Sequence, residues 1–499
     1  MRVVESKQMM LGEVDVSNIE ISKRSRDDIP TILRGLQHLY NDSALRAAVF
    51  ALLSTRIAAR VDKDNGRPGM TLWAIFVCGV IRLDLNADYD RLQELINQHL
   101  TLRQMLGHGM LDRAHYALQT LKDNVSLLTP ELLDQINQLV IPAGHALLKK
   151  KGNEALRGRC DSFVVETDVH YPTDINLLFD AMRKVITLTA RWSDAFGLSD
   201  WRQSKYNLRC VKRFMRVAQS KKRRHSDDPK QQQKNAALVM SAHQDYLDLA
   251  QIYLQKSKET LAQLMTLDAT MIGAVRKTEI EGFISHAHRQ IDQIKRRVID
   301  GQSITHAEKV FSIFEPHTEW VSKGKAGVPQ ELGLRVCVLE DQHRFILHHQ
   351  VMEKVTDEQV TVSMVLETKA RFPALDACSF DQGFHTPQNQ IDLQAQLRLV
   401  ALPRKGKLSQ QARAHQQTPE FIQARKSHAA VESAINALEV HGLDRCLDQG
   451  IDGFKRYVAL AIVARNIHRI GAILMKNDRD QLERAARKSE RNTQYKQAA

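Results

Sequence analysis

The sequence predicts a mixed α/β protein in which a long helical insertion divides the chain of a sheet-containing domain. Three observations favour this fold class: helical periodicity over residues 1–150, β-rich runs that begin near residue 157 and return after residue 324, and renewed helical periodicity over residues 175–300. We therefore expect an all-α N-terminal domain (1–150), an α/β domain (151–475) interrupted at 175–300, and a charged C-terminal tail (476–499).

The N-terminal region has the pattern of short amphipathic helices separated by turn residues. Thr71 follows a polar run and can cap a helix that continues to Asp84, because its hydroxyl accepts an otherwise unpaired main-chain N–H. Further helices are predicted at 88–98, 115–124 and 130–148. Such helices can contact DNA, form a dimer interface or simply pack, and the sequence leaves these roles open.

The α/β region begins with a predicted strand at 162–165 that leads into a turn at 170–174. After residue 324, the β-rich runs 334–339 and 345–351 flank polar residues and predict a hairpin. The remaining predicted elements are, in order, a helix at 357–372, strands at 377–380 and 397–402, and helices at 426–438 and 454–475.

Composition limits the class of protein and its partners. The 499-residue chain has 71 Lys and Arg against 58 Asp and Glu, a net charge of +13, which attracts polyanions and favours nucleic acid as a partner. Six cysteines lie far apart without a CxxC pair, as suits a reducing compartment. The longest apolar run, 70–81, is too short to span a membrane, and no signal-peptide core is visible, so we expect a soluble cytoplasmic protein without a membrane partner.

Three acidic residues are candidates for phosphodiester chemistry, which uses two divalent cations held by oxygen ligands from separate segments. Asp161 is expected at the start of the first strand, Asp381 directly follows a later strand, and Glu432 lies on a predicted helix. Taken singly, an acid in such a position is more often a turn residue or a solvated carboxylate.

The sequences around these acids resemble the DDE transposases of bacterial insertion sequences, in particular the ISNCY group. In residues 161–174, an aspartate opens the predicted strand and a YPTD-like turn ends thirteen positions later. The similarity extends over about 157–475, and residues 66–124 are similar to the N-terminal domain of the same proteins. It continues through EPHTEW at 315–320, FDQGF at 380–384, LPRKGK at 402–407, HAAVESAIN at 428–436 and HGLDRC at 441–446.

The resemblance implies an RNase H-like catalytic domain with the helical insertion between its first and second strands. It implies that Asp161, Asp381 and Glu432 form a triad that binds two Mg²⁺ ions, with Mn²⁺ able to substitute. The implied activity is cleavage of DNA at the element ends and strand transfer into target DNA. The implied partners are the terminal inverted repeats, the target DNA and further copies of this chain, in a homodimer or a higher assembly.

The helix of Glu432 departs from the family pattern at two positions. Many related transposases have an arginine four residues before the glutamate and a lysine seven residues after it, where this chain has His428 and Glu439. Arg425 or Lys426 is the expected replacement as a DNA-binding cation. His428 and His317 are candidate helpers, although a histidine is more often a packed or surface residue.

Further basic residues are candidate DNA contacts near the proposed site. Arg404, Lys405 and Lys407 follow a predicted strand, and Lys323 and Lys325 precede one, so flexible cations could bracket the DNA backbone there. The basic run 221–224 is equally well explained as a DNA-contacting loop or a solvated one. Two alternative functions stay open: an RNase H-like metal-dependent nuclease that does not join strands, and a catalytically silent DNA-binding relic or regulator.

Overall fold

The computed structural model describes residues 3–5, 9, 11–57, 69–148, 154–221, 228–322 and 330–498. The chain forms two compact units, one made of Met1–Asp168 and Glu319–Ala499, the other of Val169–Thr318. The fold is mixed α/β with a mixed sheet, which confirms the predicted class.

Seventeen α-helices and seven strands are present among the described residues. The helices of the first unit are α1 (Asp28–Asn41), α2 (Ser43–Ile57), α3 (Leu72–Asp84), α4 (Tyr89–Gln98), α5 (Leu100–Met105), α6 (Leu118–Val125), α7 (Pro130–Ala146), α12 (Asp357–Arg371), α13 (Pro387–Gln396), α14 (Gln410–Gln416), α15 (Pro419–His428), α16 (Ala430–Leu438) and α17 (Gly450–Ala498). Its strands are β1 (Leu156–Thr167), β2 (Glu319–Ser322), β3 (Gln330–Asp341), β4 (Ile346–Met352), β5 (Leu375–Phe380), β6 (Leu399–Ala401) and β7 (Arg445–Cys446). The second unit contains α8 (Asp174–Ala195), α9 (Ser204–Ser220), α10 (Pro229–Leu267) and α11 (Met271–Ile294).

The N-terminal helices begin where the capping residues place them. The Thr71 hydroxyl accepts the main-chain N–H of Ala74 at 3.2 Å, and Asp88 caps α4 in the same way. Every residue of α3 is buried, so this helix lies inside the core rather than on a surface. The buried residues of α1, α3 and α7 belong to the same core as those of the sheet.

The predicted boundary at residue 150 therefore does not separate two compact units. A helix that is apolar on all sides, as α3 is, needs neighbours on every face. It packs against α17, while α7 packs against both α17 and β4. The N-terminal helices thus bury their apolar faces against elements that lie about 200 residues (β4) to more than 300 residues (α17) later in the chain.

The sheet has the order β2-β3-β1-β5-β6, with β4 also paired to β3 and β7 also paired to β1. β1, β3 and β4 are antiparallel neighbours, whereas β5, β6 and β7 run parallel to the strands they pair with. The predicted hairpin is confirmed as β3 and β4. β2 was missed because its four residues, of which only Val321 is β-branched and apolar, give a weak strand pattern.

The C-terminal helix α17 crosses the core of the first unit and continues through the charged segment predicted as a tail. Over Gly450–Lys488 it is long and apolar enough to cross a membrane by length and composition, yet 72% of its most apolar window is buried inside the protein. It contacts α1, α3 and α7, so its apolar residues serve internal packing. This burial is consistent with a soluble protein.

The second unit is helical, as the periodicity over 175–300 predicts, but it extends further in both directions, from Val169 to Thr318. Its core has Trp192, Tyr246 and Ile284 among its buried residues. Two buried indole groups are satisfied by polar partners, Trp192 by Asp268 and Trp201 by Thr260.

Candidate active site

Strand register places Asp161 beside Asp381. β1 and β5 are parallel neighbours whose last register pair is Cys160 with Phe380, and the next residue in the chain after each of these two is an aspartate. Adjacent strands lie about 4.8 Å apart, so the two main chains are close where these acids occur. The expectation that Asp161 opens its strand is wrong, because β1 begins at Leu156 and continues to Thr167 beyond the end of β5.

Glu432 lies on a helix that covers the same face of the sheet. Side chains two residues apart on a strand share a face, so Ser379 and Asp381 point to one side. His428, the last residue of α15, has its Nδ1 atom 3.1 Å from Ser379 Oγ on that side. α16 starts two residues later and packs on β1, and it carries Glu432 in its first turn.

The negative charges of the other two predicted acids act on Asp161. The pKa of Asp161 is raised to about 6, first by burial and then by the negative charges of Asp381, Asp357 and Glu432. The main-chain N–H of Ser162, which donates to Asp161 Oδ1 at 2.8 Å, only partly offsets these effects. Asp161 is half-buried, while Asp381 and Glu432 are exposed and accessible to a substrate or an ion.

Asp357 is a fourth acid of this cluster that the sequence analysis did not single out. It begins α12, accepts a hydrogen bond from Ser162 Oγ at 2.6 Å and pairs with Arg335 at 3.4 Å. A Cβ atom on Gly383 would lie 3.6 Å from Asp357 Oδ2 and 3.9 Å from Asp381 Oδ2, so both oxygens flank this glycine. In the sequence, Asp357 has the pattern of an ordinary acid in the first turn of a helix, after a capping box at Thr356. This pattern does not indicate that the residue lies near Asp161 and Asp381.

The donor set fits hard divalent cations. All four side chains offer carboxylate oxygens, the ligand type preferred by Mg²⁺ and Mn²⁺. The ligand oxygens of the three predicted acids do not all lie within 4.8 Å of one another. Among the described residues, one group of His and Asp side chains has that spacing, and it lies elsewhere in the unit. Two ions about 4 Å apart need their outer ligands up to about 8 Å apart, so wider spacing of the outer acids suits a two-ion site.

A buried charged network supports the strand below the acids. Arg159 pairs with Glu340 at 2.8 Å and donates to the main-chain oxygen of Asp341 at 2.5 Å. Burial raises the pKa of Glu340 to about 7, and Arg159 opposes that rise. Arg159 also donates to the Ser427 carbonyl at 3.5 Å, which ties β1 to the end of α15.

His428 stands at the position where the resemblance predicts an arginine. Burial lowers its pKa, and the charge of Arg159 lowers it further, against the opposing charges of Asp381 and Glu432. A neutral imidazole that bonds Ser379 positions the helix junction before Glu432 rather than supplying a cation. The predicted continuous helix over 426–438 is broken at Ala429, which ends α15 and begins α16.

Two of the predicted basic residues lie next to the loop of Asp381. Lys405 Nζ donates to the Gly383 carbonyl at 3.1 Å and pairs with Glu358 at 3.4 Å. Gln382 donates to the Arg404 carbonyl at 2.9 Å, so the loops after β5 and β6 are bonded to each other.

The other predicted cations are less closely tied to the acids. Lys407, Arg425 and Lys426 are exposed, the last two in the final turn of α15. Lys323 and Lys325 lie outside the described residues. His317 belongs to the second unit, where its Nδ1 lies 3.6 Å from Glu315 Oε2, so its predicted helper role has no geometric support within that unit.

The second unit carries a basic helix face that the sequence analysis missed. α9 contains no acid, and its cations border a surface groove lined by Arg209, Lys212, Arg213, Arg216, Val217 and Ser220. All four of these cations are exposed. The sequence indicates this face through basic residues at helical spacing just before the 221–224 cluster. Of that cluster, only Lys221 lies within the described residues.

Comparison with known proteins adds no family to this description. No protein-family model, no curated protein and no solved structure matches the chain. Functional assignment therefore depends on the residues and on the geometry of the acid cluster.

Proposed function

We propose that the protein is a DDE transposase with an RNase H-like sheet. The observation that carries the proposal is the convergence of Asp161, Asp381 and Glu432 from two adjacent strands and a covering helix. The strand order β4-β3-β1-β5-β6 supports the fold, since β1, β3 and β4 are antiparallel neighbours and β5 and β6 run parallel to β1. The helical second unit then fills the position of the insertion after the first strand.

The cluster suits metal-dependent cleavage and joining of phosphodiesters. Asp161, Asp381 and Glu432 would hold two Mg²⁺ ions, which supply positive charge to a phosphorus centre under attack and acidify a bound water or a DNA 3′-hydroxyl. Asp161, whose pKa responds to the charges of the other acids, would be one of the residues that hold the ions. Asp357 holds the Ser162 hydroxyl at 2.6 Å and acts as a positioning residue for the strand segment that carries Asp161.

DNA is the proposed partner. Arg404 and Lys405 border the acid cluster, and the exposed cations of α9 offer a second phosphate-binding surface in the other unit. Flexible lysines and planar arginines both neutralise phosphates without sequence selectivity, so they position DNA rather than read it. Joining the two ends of an element requires at least two copies of the chain in the complex.

A cleavage assay on supercoiled plasmid carrying candidate element ends, with Mg²⁺ or Mn²⁺, tests the activity. We expect Asp161→Asn, Asp381→Asn and Glu432→Gln each to reduce cleavage by roughly a thousandfold, because each removes a ligand worth several kcal/mol of transition-state stabilisation. The matched controls are Asp444→Asn and Glu420→Gln, which remove exposed carboxylates of the same unit and should leave the rate within about twofold.

Oligonucleotides with a free 3′-hydroxyl separate the candidate reactions. Joined product identifies a transposase, whereas cutting without joining identifies a nuclease. Wild-type rates in the three triad variants would show that the acid cluster is not the catalytic site.

A further inference from the structure

A second cluster of metal-ligating side chains lies apart from the acids, in the core of the first unit. It consists of Asp84 at the end of α3, His441 in a π-helical turn directly after α16, and His468 in α17. One ligand atom from each residue lies within 4.8 Å of those from the other two. Among the residues that the structure describes, no other three His, Cys, Asp or Glu side chains converge in this way.

Asp84 organises both imidazoles. Its carboxylate is inaccessible to solvent, with 0% of the side chain exposed, and its two oxygens lie 3.0 and 3.1 Å from His468 Nδ1. His441 Nδ1 contacts the main-chain oxygen of Asp84. A carbonyl oxygen only accepts, so Nδ1 of His441 carries the proton and its Nε2 holds the lone pair. Metal-binding histidines are fixed by the same kind of contact.

The backbone around His441 is built to hold this position. Gly442 has φ +105°, a conformation that only glycine adopts without strain, and it lets the chain turn sharply after α16. The turn contacts both α3 and α17. The two imidazole rings lie 5.0 Å apart between centroids, and both are partly exposed, so an ion can enter from solvent.

We propose that Asp84, His441 and His468 bind a transition-metal ion of the Zn²⁺ class. Two imidazole nitrogens and one carboxylate oxygen suit Zn²⁺, whereas Mg²⁺ prefers oxygen ligands alone. In a tetrahedral shell, bonds of about 2.0–2.1 Å place ligand atoms about 3.4 Å apart, so the three side chains must draw slightly closer. Water fills the fourth position.

The role of the ion is structural and independent of the proposed transposase activity. It links α3, α17 and the turn that follows the helix of Glu432, and so fixes the end of that helix to the core. Without an ion, Asp84 Oδ1 lies 3.0 Å from His468 Nδ1, and Arg465 is nearby. That metal-free ion-pair network is the competing explanation.

Metal binding by the EDTA-treated full-length protein, measured in excess Mg²⁺ so that the acid cluster is occupied, tests the proposal. We expect one Zn²⁺ per chain, Co²⁺ absorption typical of a four-coordinate site with nitrogen ligands, and a rise in melting temperature on adding Zn²⁺. His441→Gln and His468→Gln should each weaken Zn²⁺ binding by roughly 100-fold, with loss of the Co²⁺ signal.

The control is His145→Gln. His145 contacts Asp341 at 2.5 Å and meets His343 edge to face, yet these residues do not converge as a ligand set. The His145→Gln variant should bind Zn²⁺ as tightly as the wild type. No Zn²⁺ binding by the wild type, or equal binding by the wild type and both cluster variants, would overturn the proposal in favour of the ion-pair network. All three measurements, Zn²⁺ binding, Co²⁺ absorption and melting temperature, are made without DNA, so they do not depend on the outcome of the cleavage assay.

Discussion

Asp161→Asn is expected to stabilise the metal-free protein while removing its activity. The pKa of Asp161 is raised from 3.8 to about 6 in the folded chain, so the ionised form is disfavoured there. Stability that is fully present below pH 3.8 is therefore lost as the pH rises through 6. A shift of this size corresponds to at most about 3 kcal/mol, and solvent screening of the half-buried side chain reduces it to about 2 kcal/mol.

Asparagine keeps the shape of the side chain and does not ionise. At pH 8 the variant should therefore unfold with a free energy about 2 kcal/mol higher than the wild type, a rise of roughly 3 °C in melting temperature for a unit of this size. At pH 4 the difference should nearly vanish, because the wild-type carboxyl is then protonated in the folded state. Asp444→Asn, at an exposed position of the same unit, should show no such pH-dependent gain.

The assay is thermal and urea-induced unfolding of both variants and the wild type at pH 4, 6 and 8, with and without Mg²⁺. Mg²⁺ at ten times its dissociation constant should stabilise the wild type by about 1.4 kcal/mol and Asp161→Asn by clearly less. A variant that is no more stable than the wild type at pH 8, or equally more stable at every pH, would refute the reasoning that burial and neighbouring negative charges raise the pKa of Asp161.

Three further predictions concern Asp357 beside Asp161, the basic helix α9 and the core of the first unit. Asp357→Asn should lower the pKa of Asp161 only part of the way from about 6 towards 3.8, because burial is the larger cause of the raised value. An unchanged midpoint in the dependence of stability on pH would contradict the charge interaction between Asp357 and Asp161. Charge reversal on α9 by Arg209→Glu, Lys212→Glu and Arg216→Glu should weaken DNA binding. The slope of log binding constant against log salt concentration should become shallower by about one unit per lost phosphate contact. The same change at exposed cations of α10, by Lys230→Glu, Lys234→Glu and Lys258→Glu, should have neither effect. Gly35→Ala should cost about 2 kcal/mol or more, because its Cβ would lie 2.2 Å from the Ile467 carbonyl oxygen, whereas Gly282→Ala, with open space around it, should be neutral or stabilising by urea unfolding.

Local patterns predicted most elements because local physics decides them. Thr71 and Asp88 cap their helices through main-chain contacts within three residues. The β3–β4 hairpin follows from two β-rich runs around a short polar turn. The length of β1 was underestimated because Arg159 and Asp161 break the apolar pattern, and only Glu340 on the neighbouring strand explains how Arg159 is accommodated.

The candidate site was only partly visible in the sequence. Asp161, Asp381 and Glu432 were predicted from motifs. Their convergence depends on strand register and helix packing, which local sequence patterns do not determine. Asp357 and the cluster of Asp84, His441 and His468 were missed, because in sequence they are an ordinary helix-start acid and three residues spread over almost 400 positions.

Periodicity, capping and composition, read from the chain alone, determined the α/β class, the helical insertion, the basic character and the approximate positions of several helices and strands. Tertiary structure decided that the N-terminal helices share a core with the sheet, that α17 is an internal helix, and which acids face one another. The physical reason is the range of the interactions. Hydrogen bonding and side-chain spacing act within a few residues, whereas burial and charge repulsion depend on which distant segments the fold brings within a few ångströms.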